Sequence, residues 1–466
     1  MIFVYTTKPS PTRDEAGEGY VSIHATDRIS RTSVSPAGDV SPEALRRVAW
    51  RVMPFLLMCY FISFLDRGNV SFAALQMNKD LGLSASQYGF GAGLFFLTYC
   101  LFEAPSNLVL FHYGAKRWIA RIMLTWGLCA AGMAFVIGPY SFYAVRLSLG
   151  AAEAGFFPGV LFFLTLWFPA SYRGRVLGIF MAGVAISGAI GSPISGYLLS
   201  FDGLLGLRGW QWLFLIEGVP AILLAPLCLY FLQDGPAQAD WLPAADRAAL
   251  ARTLEAERAQ LEKRAKYSFG QALRNPRVLF LAFTYFADVC LLNGILFFMP
   301  MILKGFGMSN LQTGLVAAIP SVAGLVTVIL WGRHSDRTGE RIVHVALPLA
   351  IGGAALLAAA VLVDPTLRII ALTIAFAGTL AFTPPFWTVP ASFLSGAASA
   401  GGYAAISSLG VVGGFVAPAI IGYLRDVTGD FRSGLAVFGA LAIIVAVIFY
   451  FVGRGQDAAS PASANR

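Results

Sequence analysis

Charge is scarce in this chain. Of its 466 residues, 12% are charged, against roughly 25% in a soluble globular domain. So few charges cannot clothe a water-facing surface of this size, which excludes a soluble fold. Cysteine is scarce as well. The five, Cys59, Cys100, Cys129, Cys228 and Cys290, all fall inside apolar runs and form no CxxC pair. They read as small core hydrophobes, not as a disulfide framework or a thiolate metal site. The four histidines, His24, His112, His334 and His344, lie in the N-terminal tail or near the ends of apolar runs, so no metal ligand set is expected. There is no HExxH and no P-loop. An enzyme is therefore not expected, nor a cofactor. No apolar leader opens the chain: residues 1–40 are rich in Ser, Thr, Pro, Asp and Arg, and a disordered cytoplasmic tail is predicted there. The net charge is +8. The basic residues sit in short connections without interleaved aromatics, so the excess reads as topogenic charge, and no nucleic-acid partner is expected.

Apolar length is what the chain has in abundance. Hydrophobic residues make up 57% of it and mean hydropathy is +0.70. A helix needs about 20 apolar residues to cross a bilayer. Twelve such runs are read, at roughly 48–75, 87–110, 117–137, 140–168, 174–200, 210–233, 276–303, 310–332, 342–363, 366–390, 401–424 and 432–453. A polar interval after the sixth alternates Arg and Glu at helical spacing, which predicts a solvated amphipathic helix. The expected organisation is a cytoplasmic tail (1–47), a six-helix bundle (48–233), a cytoplasmic linker (234–275), a second six-helix bundle (276–453) and a short cytoplasmic tail (454–466). The even-numbered connections carry the denser Lys and Arg, among them Lys116, Arg117, Arg173, Arg175, Arg333, Arg337 and Arg341. That bias places both termini in the cytoplasm.

The two halves repeat each other. "SQYG" at Gln87 matches "LQTG" at Gln312, and Gly114 of "HYGAKR" matches Gly339 of "RTGER", both 225 residues apart. "GAIGSPISGYL" from Gly188 matches "GFVAPAIIGYL" from Gly414 at an offset of 226. Ordered marks at one offset point to a duplicated unit. Six spans between copies keep the orientation, so the repeat is parallel. The predicted fold is an all-α membrane protein of twelve transmembrane helices in two parallel-repeat six-helix bundles, an architecture that places a substrate between its halves.

The turn after span eight reads "GRHSDRTGER". It fits Gly-x-x-x-Asp-Arg-x-Gly-x-Arg, the mark of the major facilitator superfamily, and the resemblance makes Asp336, Arg337, Gly339 and Arg341 a gating motif. Asp336 is expected to latch neighbouring helices. The equivalent turn in the first half, "NLVLFHYGAKR", has Phe111 where the acid should stand, so a latch there must differ. "FLDRGNVSFAALQMNKDLGLS", "FLTYCLFEAPSNL", "RLSLGAAEAGFFPGVLFFLTLWFP" and "WQWLFLIEGVPA" resemble the anion:cation symporter branch of that superfamily. That branch includes bacterial permeases for tartrate, phthalate, 4-hydroxyphenylacetate and galactonate. The resemblance implies proton-coupled uptake of a small organic carboxylate across a bacterial inner membrane by alternating access, by a monomer.

Chemistry agrees with that implication. A charge at the bilayer centre costs at least ~2.5–3.5 kcal/mol, so Asp66, Arg67, Arg146 and Glu153 must face protein or a watery cavity. Asp66 and Arg67 lie ~13 Å from the outer end of span one by helical rise. Arg146 and Glu153 lie ~9 and ~20 Å into span four, two turns apart on one face. One shared cavity is therefore expected. The roles that the resemblance supports are these: Arg67 binds the cargo carboxylate with its planar fork, Asp66 and Glu153 carry protons, and Arg146 pairs with Glu153 when that acid is ionised. Tyr99 is expected to face the cavity, Trp387 to stack on the cargo, and Asp288 to bind a polar group or a proton. Glu217 reads as structural. Where the branch usually has "NSIGN" this chain has "SSLGV", so Ser407 and Val411 replace amide contacts. Small residues at Gly188, Ser192, Gly196, Gly414, Pro418 and Gly422 recur every four positions, which predicts closely packed gating helices. The alternative to a symporter is a uniporter or antiporter of organic acids without proton coupling.

Overall fold

The computed structural model describes residues 40–262, 272–393 and 397–458, and among them every regular element is helical. Twelve helical segments are long and apolar enough to cross a membrane, as the sequence predicts. The first half contains α1 (Pro42–Asp80), α2 (Ala85–Tyr113), α3 (Ala115–Gly132), a fourth span formed by α4 (Pro139–Glu153) and α5 (Phe156–Thr165), α6 (Ala170–Leu198) and α7 (Gly209–Phe231). The linker contributes α8 (Ala244–Glu262). The second half contains α9 (Pro276–Lys304), α10 (Asn310–Thr338), α11 (Ile342–Val361), α12 (Pro365–Phe393), an eleventh span formed by α13 (Ala397–Val411) and α14 (Gly413–Thr428), and α15 (Arg432–Ala458). Most of the predicted tail, 1–39, lies outside the described residues. Helix α1 begins earlier than its apolar run because Ser41 caps it, accepting the Ala44 N–H at 3.1 Å, with Pro42 in the first turn.

The duplication seen in sequence is a duplication of caps and crossings. Ser84 with Gln87 and Ser309 with Gln312 form the same reciprocal capping box at the start of α2 and of α10. Each of these helices then crosses a helix of the other half at a glycine. A methyl group at Gly89 of α2 would strike the backbone of Pro418 and meet Gly422 on α14, and one at Gly314 of α10 would meet Ser192, Pro193 and Gly196 on α6. The small-residue spacing therefore does set helix-to-helix distance.

These crossings lie at one end of the molecule. The other end carries α8, which ties back to both halves of the first bundle: Asp246 accepts the Ser41 hydroxyl at 3.4 Å, and Glu257 accepts the Ala170 N–H at the start of α6 at 3.0 Å. The end that holds α8 and the start of α1 is the terminal face, and its counterpart is the distal face. The halves meet at the distal face and part toward the terminal one. On α2, the stretch from Tyr88 to Phe96 is largely buried, whereas Leu101, Leu108 and Phe111 are exposed.

The two turns at the terminal face differ as their sequences do. After α10, Gly339 takes φ +67°, and Asp336 pairs with Arg341 of its own turn at 3.0 Å. Asp336 stays exposed, and its pair joins the end of α10 to Arg341, the N-cap residue of α11. After α2, where Phe111 replaces the acid, Asp234 from beyond α7 supplies the charge. Its Oδ1 accepts the Lys116 N–H at 2.8 Å, at the N-terminus of α3, where backbone donors and the helix dipole favour an anion.

Candidate functional site

The fourth span breaks at the position where chemistry is expected. Glu153 is the last residue of α4, Ala154 leaves the helical region, and Gly155 takes φ +87°. Only glycine fits there, because a Cβ would strike the Ser106 side chain. The break leaves the Glu153 carboxylate at a helix C-terminus, which repels negative charge, inside the protein and 1% exposed. Arg67 of α1 compensates it. Its Nη2 lies 2.7 Å and its Nε 2.9 Å from Glu153 Oε1, and the Ser63 hydroxyl donates to the same oxygen at 2.8 Å. The Arg67 guanidinium is walled by aromatics, with the rings of Phe64 and Tyr99 5.0 Å away and Phe95 at 5.5 Å. Tyr60 and Tyr285 lie within reach of the same charge.

Arg146 is buried one layer behind. Its Nη2 donates to the Ala92 carbonyl at 2.7 Å, its guanidinium stands 5.1 Å from the Phe95 ring, and its Nε has no hydrogen-bond partner. The expected Arg146–Glu153 pair is not formed in this conformation, because Arg67 holds the acid. Both guanidiniums stand within 5.5 Å of the Phe95 ring.

Asp66 does not share the cavity with Arg67. Adjacent residues on a helix point about 100° apart, and Asp66 faces into the first bundle. Its Oδ2 accepts the Trp126 indole N–H at 2.7 Å and its Oδ1 the Asn69 amide at 3.1 Å. Beyond Asn69 stands Glu217, whose Oε1 accepts the Ser195 hydroxyl at 2.7 Å and whose Oε2 is buried without a partner among the described residues. Asp66 and Glu217 are thus two buried acids near Asn69, and among the described residues no basic group is bonded to either.

In the second half the candidate residues are spread more thinly. Trp387 is not free-standing: it packs at 5.1 Å on Tyr285 and at 5.8 Å on Tyr403, whose hydroxyl donates to the Trp387 carbonyl. Tyr285 therefore links Trp387 to the centre. Asp288 is buried, one turn along α9 from Tyr285, and its Oδ1 lacks a partner among the described residues. Ser407 is half-buried on α13 beside Ser408, whose carbonyl takes the Cys100 thiol at 3.4 Å across the two halves. Sequence reasoning missed Ser63, Trp126 and Tyr60. The first was findable, since Ser63 precedes Arg67 by one turn; the second was not, since nothing in the chain pairs residue 66 with residue 126.

A second titratable group stands at the terminal face, where only isolated histidines are visible in the sequence. His344 Nδ1 lies 2.8 Å from Glu340 Oε2, and its Nε2 lies 2.7 Å from His334 Nδ1. Glu340 also accepts the N–H groups of Val343 and His344 at 2.7 and 3.2 Å. Partial burial pushes its carboxyl up, but these donors and the His344 ring outweigh that and hold it below its ordinary value. Among the described residues no cluster of three His, Cys, Asp or Glu side chains could hold a metal.

Comparison with known proteins agrees with the architecture. A protein of Agrobacterium vitis named for tartrate transport is 45% identical over 421 residues, covering 90% of this chain and 94% of the relative. The metabolite transport protein NicT of Pseudomonas putida is 43% identical, covering 85% of this chain and 92% of its own length. A bacterial homologue of the human lysosomal transporter Spinster, solved inward-facing and occupied, superposes with a TM-score of 0.69 at 17% identity, over 86% of this chain and 96% of that one. That last likeness shows the fold alone. The Major Facilitator Superfamily sequence model matches residues 56–418, more than half of the chain, and the relatives are transporters: this multi-pass membrane protein is a transporter and belongs to the Major Facilitator Superfamily.

Proposed function

We propose that this transporter moves a small organic carboxylate together with a proton, by symport, across a bacterial inner membrane with both termini in the cytoplasm. The observation that carries the reading is the Arg67–Glu153 ion pair, closed at 2.7 Å between spans one and four. Arg67 offers a planar fork suited to two carboxylate oxygens. Here the protein's own carboxylate occupies it. A cargo carboxylate competes for the same donors, and protonation of Glu153 removes the competitor. One proton and one monoanion then leave the site with the net charge it had before, so the loaded carrier reorients without moving charge across the bilayer. A ligand shifts a two-state equilibrium only through differential affinity, and the exchange of Glu153 for cargo on Arg67 supplies that difference. The tartrate-named relative supports a carboxylate cargo.

The other residues take roles consistent with their positions. Tyr99 and Arg146 shape the cavity around Arg67. Asp66 is a second proton site, held off the cavity by Trp126 and Asn69. Asp288, Trp387 and Ser407 face the cargo from the second half. Asp336, Arg337, Gly339 and Arg341 latch the terminal face in the alternate state, for which the exposed Asp336 is free to change partner. With the termini in the cytoplasm, the described state opens inward.

The test is uptake into proteoliposomes of tartrate, phthalate, 4-hydroxyphenylacetate, nicotinate and galactonate, with and without an inward proton gradient. Gradient-driven accumulation of one acid is the expected result. Flux that equilibrates regardless of the gradient would keep a carboxylate carrier and remove the proton roles.

A further inference from the structure

Arg121 is a guanidinium inside a span with no acid paired to it among the described residues. It sits on α3, six residues after the helix begins at Ala115, or ~9 Å along the axis by helical rise. Its Nη1 reaches only the Thr125 hydroxyl, at 3.4 Å, and its Nε is buried without a hydrogen-bond partner. No ion pair of Arg121 is formed among the described residues. The Trp118 ring lies 3.8 Å from the guanidinium carbon and supplies a π face, but not an anion. Charges at such depth are retained where something pairs with them.

The place for that partner is a groove of about 520 Å³ between α2, α3 and α4, lined by Phe102, Pro105, Val109, Trp118, Thr125 and Ala152 around Arg121. It lies on the terminal side of the bundle. Leu124 and Leu128, which flank Arg121 and Thr125 on α3, are exposed, as is Phe102 on the groove's own wall, so the groove faces lipid. Tyr113 and Trp118 stack at 6.2 Å at its terminal end, and paired amphipathic rings of this kind mark the headgroup level of a bilayer. Arg121, one turn deeper, reaches that level by extending along the wall.

The groove's lining contains one cation and no carboxylate. A zwitterionic headgroup would bring an ammonium beside Arg121 with no carboxylate in the lining to pair it, whereas a net-anionic headgroup brings only what the groove lacks. The remaining polar groups are already engaged. The Trp118 indole N–H donates to Ser106 at 3.0 Å, and the Thr125 hydroxyl donates to the Arg121 carbonyl at 2.9 Å. The N–H groups of Arg121 are the ones left to offer.

We propose that this groove binds the phosphodiester of an anionic phospholipid from the terminal-face leaflet, with Arg121 on the phosphate and the acyl chains along α2 and α4. Basic pockets between transmembrane helices on the cytoplasmic side bind headgroups of this charge. The bound lipid would lie against Ala152, next to Glu153 on the helix that carries the central acid. The inference is independent of what the transporter carries.

The test uses the purified full chain in neutral detergent, melted with added phosphatidylglycerol or phosphatidylcholine, with retained lipid counted by native mass spectrometry. Phosphatidylglycerol should raise Tm above phosphatidylcholine and be retained preferentially, and inorganic phosphate alone should do neither. Arg121→Gln should reduce the difference between the two lipids by more than half. Val109→Trp fills the groove, leaves the charge in place and should do the same. Equal effects of the two lipids on the wild type, a rise with inorganic phosphate equal to that with lipid, or an undiminished preference in Arg121→Gln would overturn the proposal. Should Arg121→Gln fail to fold, an undiminished preference in Val109→Trp overturns it.

Discussion

Ser84 and Ser309 cap equivalent helices in the same way, and Gly89 and Gly314 seat equivalent crossings. Behind those shared features the two halves are filled differently. The first half buries Asp66, Arg146, Glu153 and Glu217 and partly buries Arg67; among the described residues of the second half, the one buried carboxylate or guanidinium is Asp288. The second half offers aromatic surface instead, in the packed set of Tyr285, Phe386, Trp387 and Tyr403. A duplicated backbone has thus kept its joints and divided its chemistry. One half holds the buried charge on which the proposed exchange rests, and the other offers an aromatic wall.

The comparison breaks most readily at Arg67. Arg67→Gln should weaken cargo binding by at least about 100-fold, the order expected when one member of a buried charge pair is removed, and equilibrium binding to the purified protein measures it. Near-normal affinity would mean that cargo recognition is not concentrated in the first half. Next in size is Glu153→Gln. It should abolish gradient-driven accumulation while preserving counterflow exchange, since the competitor for Arg67 is gone; accumulation that survives would remove Glu153 from coupling. Asp288→Asn sharpens the contrast. Gradient-driven accumulation should persist within a few-fold, with the change confined to which acids compete for uptake. Loss of coupling equal to that of Glu153→Gln would show the second half to be an equal partner.

Geometry at the crossings supplies a smaller and symmetric effect. Gly89→Ala and Gly314→Ala each push apart a distal contact and should favour opening at that face to similar degrees, read as increased labelling of cysteines introduced near residues 88 and 313. Unequal labelling would show that the repeat is symmetric in backbone but not in gating energy. The smallest effect is expected at Glu340. Its carboxyl lies below the ordinary value in the folded protein, so its stabilisation is present above the unfolded carboxylate range and is lost as pH falls through the folded value. Glu340→Gln should therefore lower Tm slightly at pH 7, and the difference should shrink as pH falls below the ordinary carboxylate range. A constant offset across that range would assign the loss to packing instead.

The sequence showed the twelve spans because a bilayer demands apolar length, and it showed the repeat because caps and crossings constrain residue type at fixed positions. It brought Asp66, Arg67, Arg146 and Glu153 toward one cavity because their depths overlap, but it did not pair Arg67 with Glu153. It misplaced Asp66 because chain adjacency to Arg67 says nothing of direction: consecutive side chains on a helix diverge. It paired Glu153 with Arg146, on its own helix face, although the break at Gly155 aims the acid at α1. The spacing of Asp66 and Asn69, one turn apart, was available as a sign of an inward polar face. The His334–His344 contact was not, because a turn brings together residues that no period relates.

The distal crossings differ in one further respect. Asp426 on α14 accepts the N–H groups of Ala85 and Ser86 at 3.0 and 2.8 Å, clamping the first turn of α2. The matching position on the other crossing is Ser200, which donates to its own helix at Tyr197 instead. An exposed anion on a helix N-terminus favours the arrangement that contains it by ~0.3–1 kcal/mol, and this one belongs to the shut distal face. On the function proposed above, the idle carrier would be biased to wait with Arg67 presented to the terminal compartment, where accumulated cargo would rebind before the next cycle began. Supply would then be throttled by abundance, a form of feedback that needs no separate regulatory site.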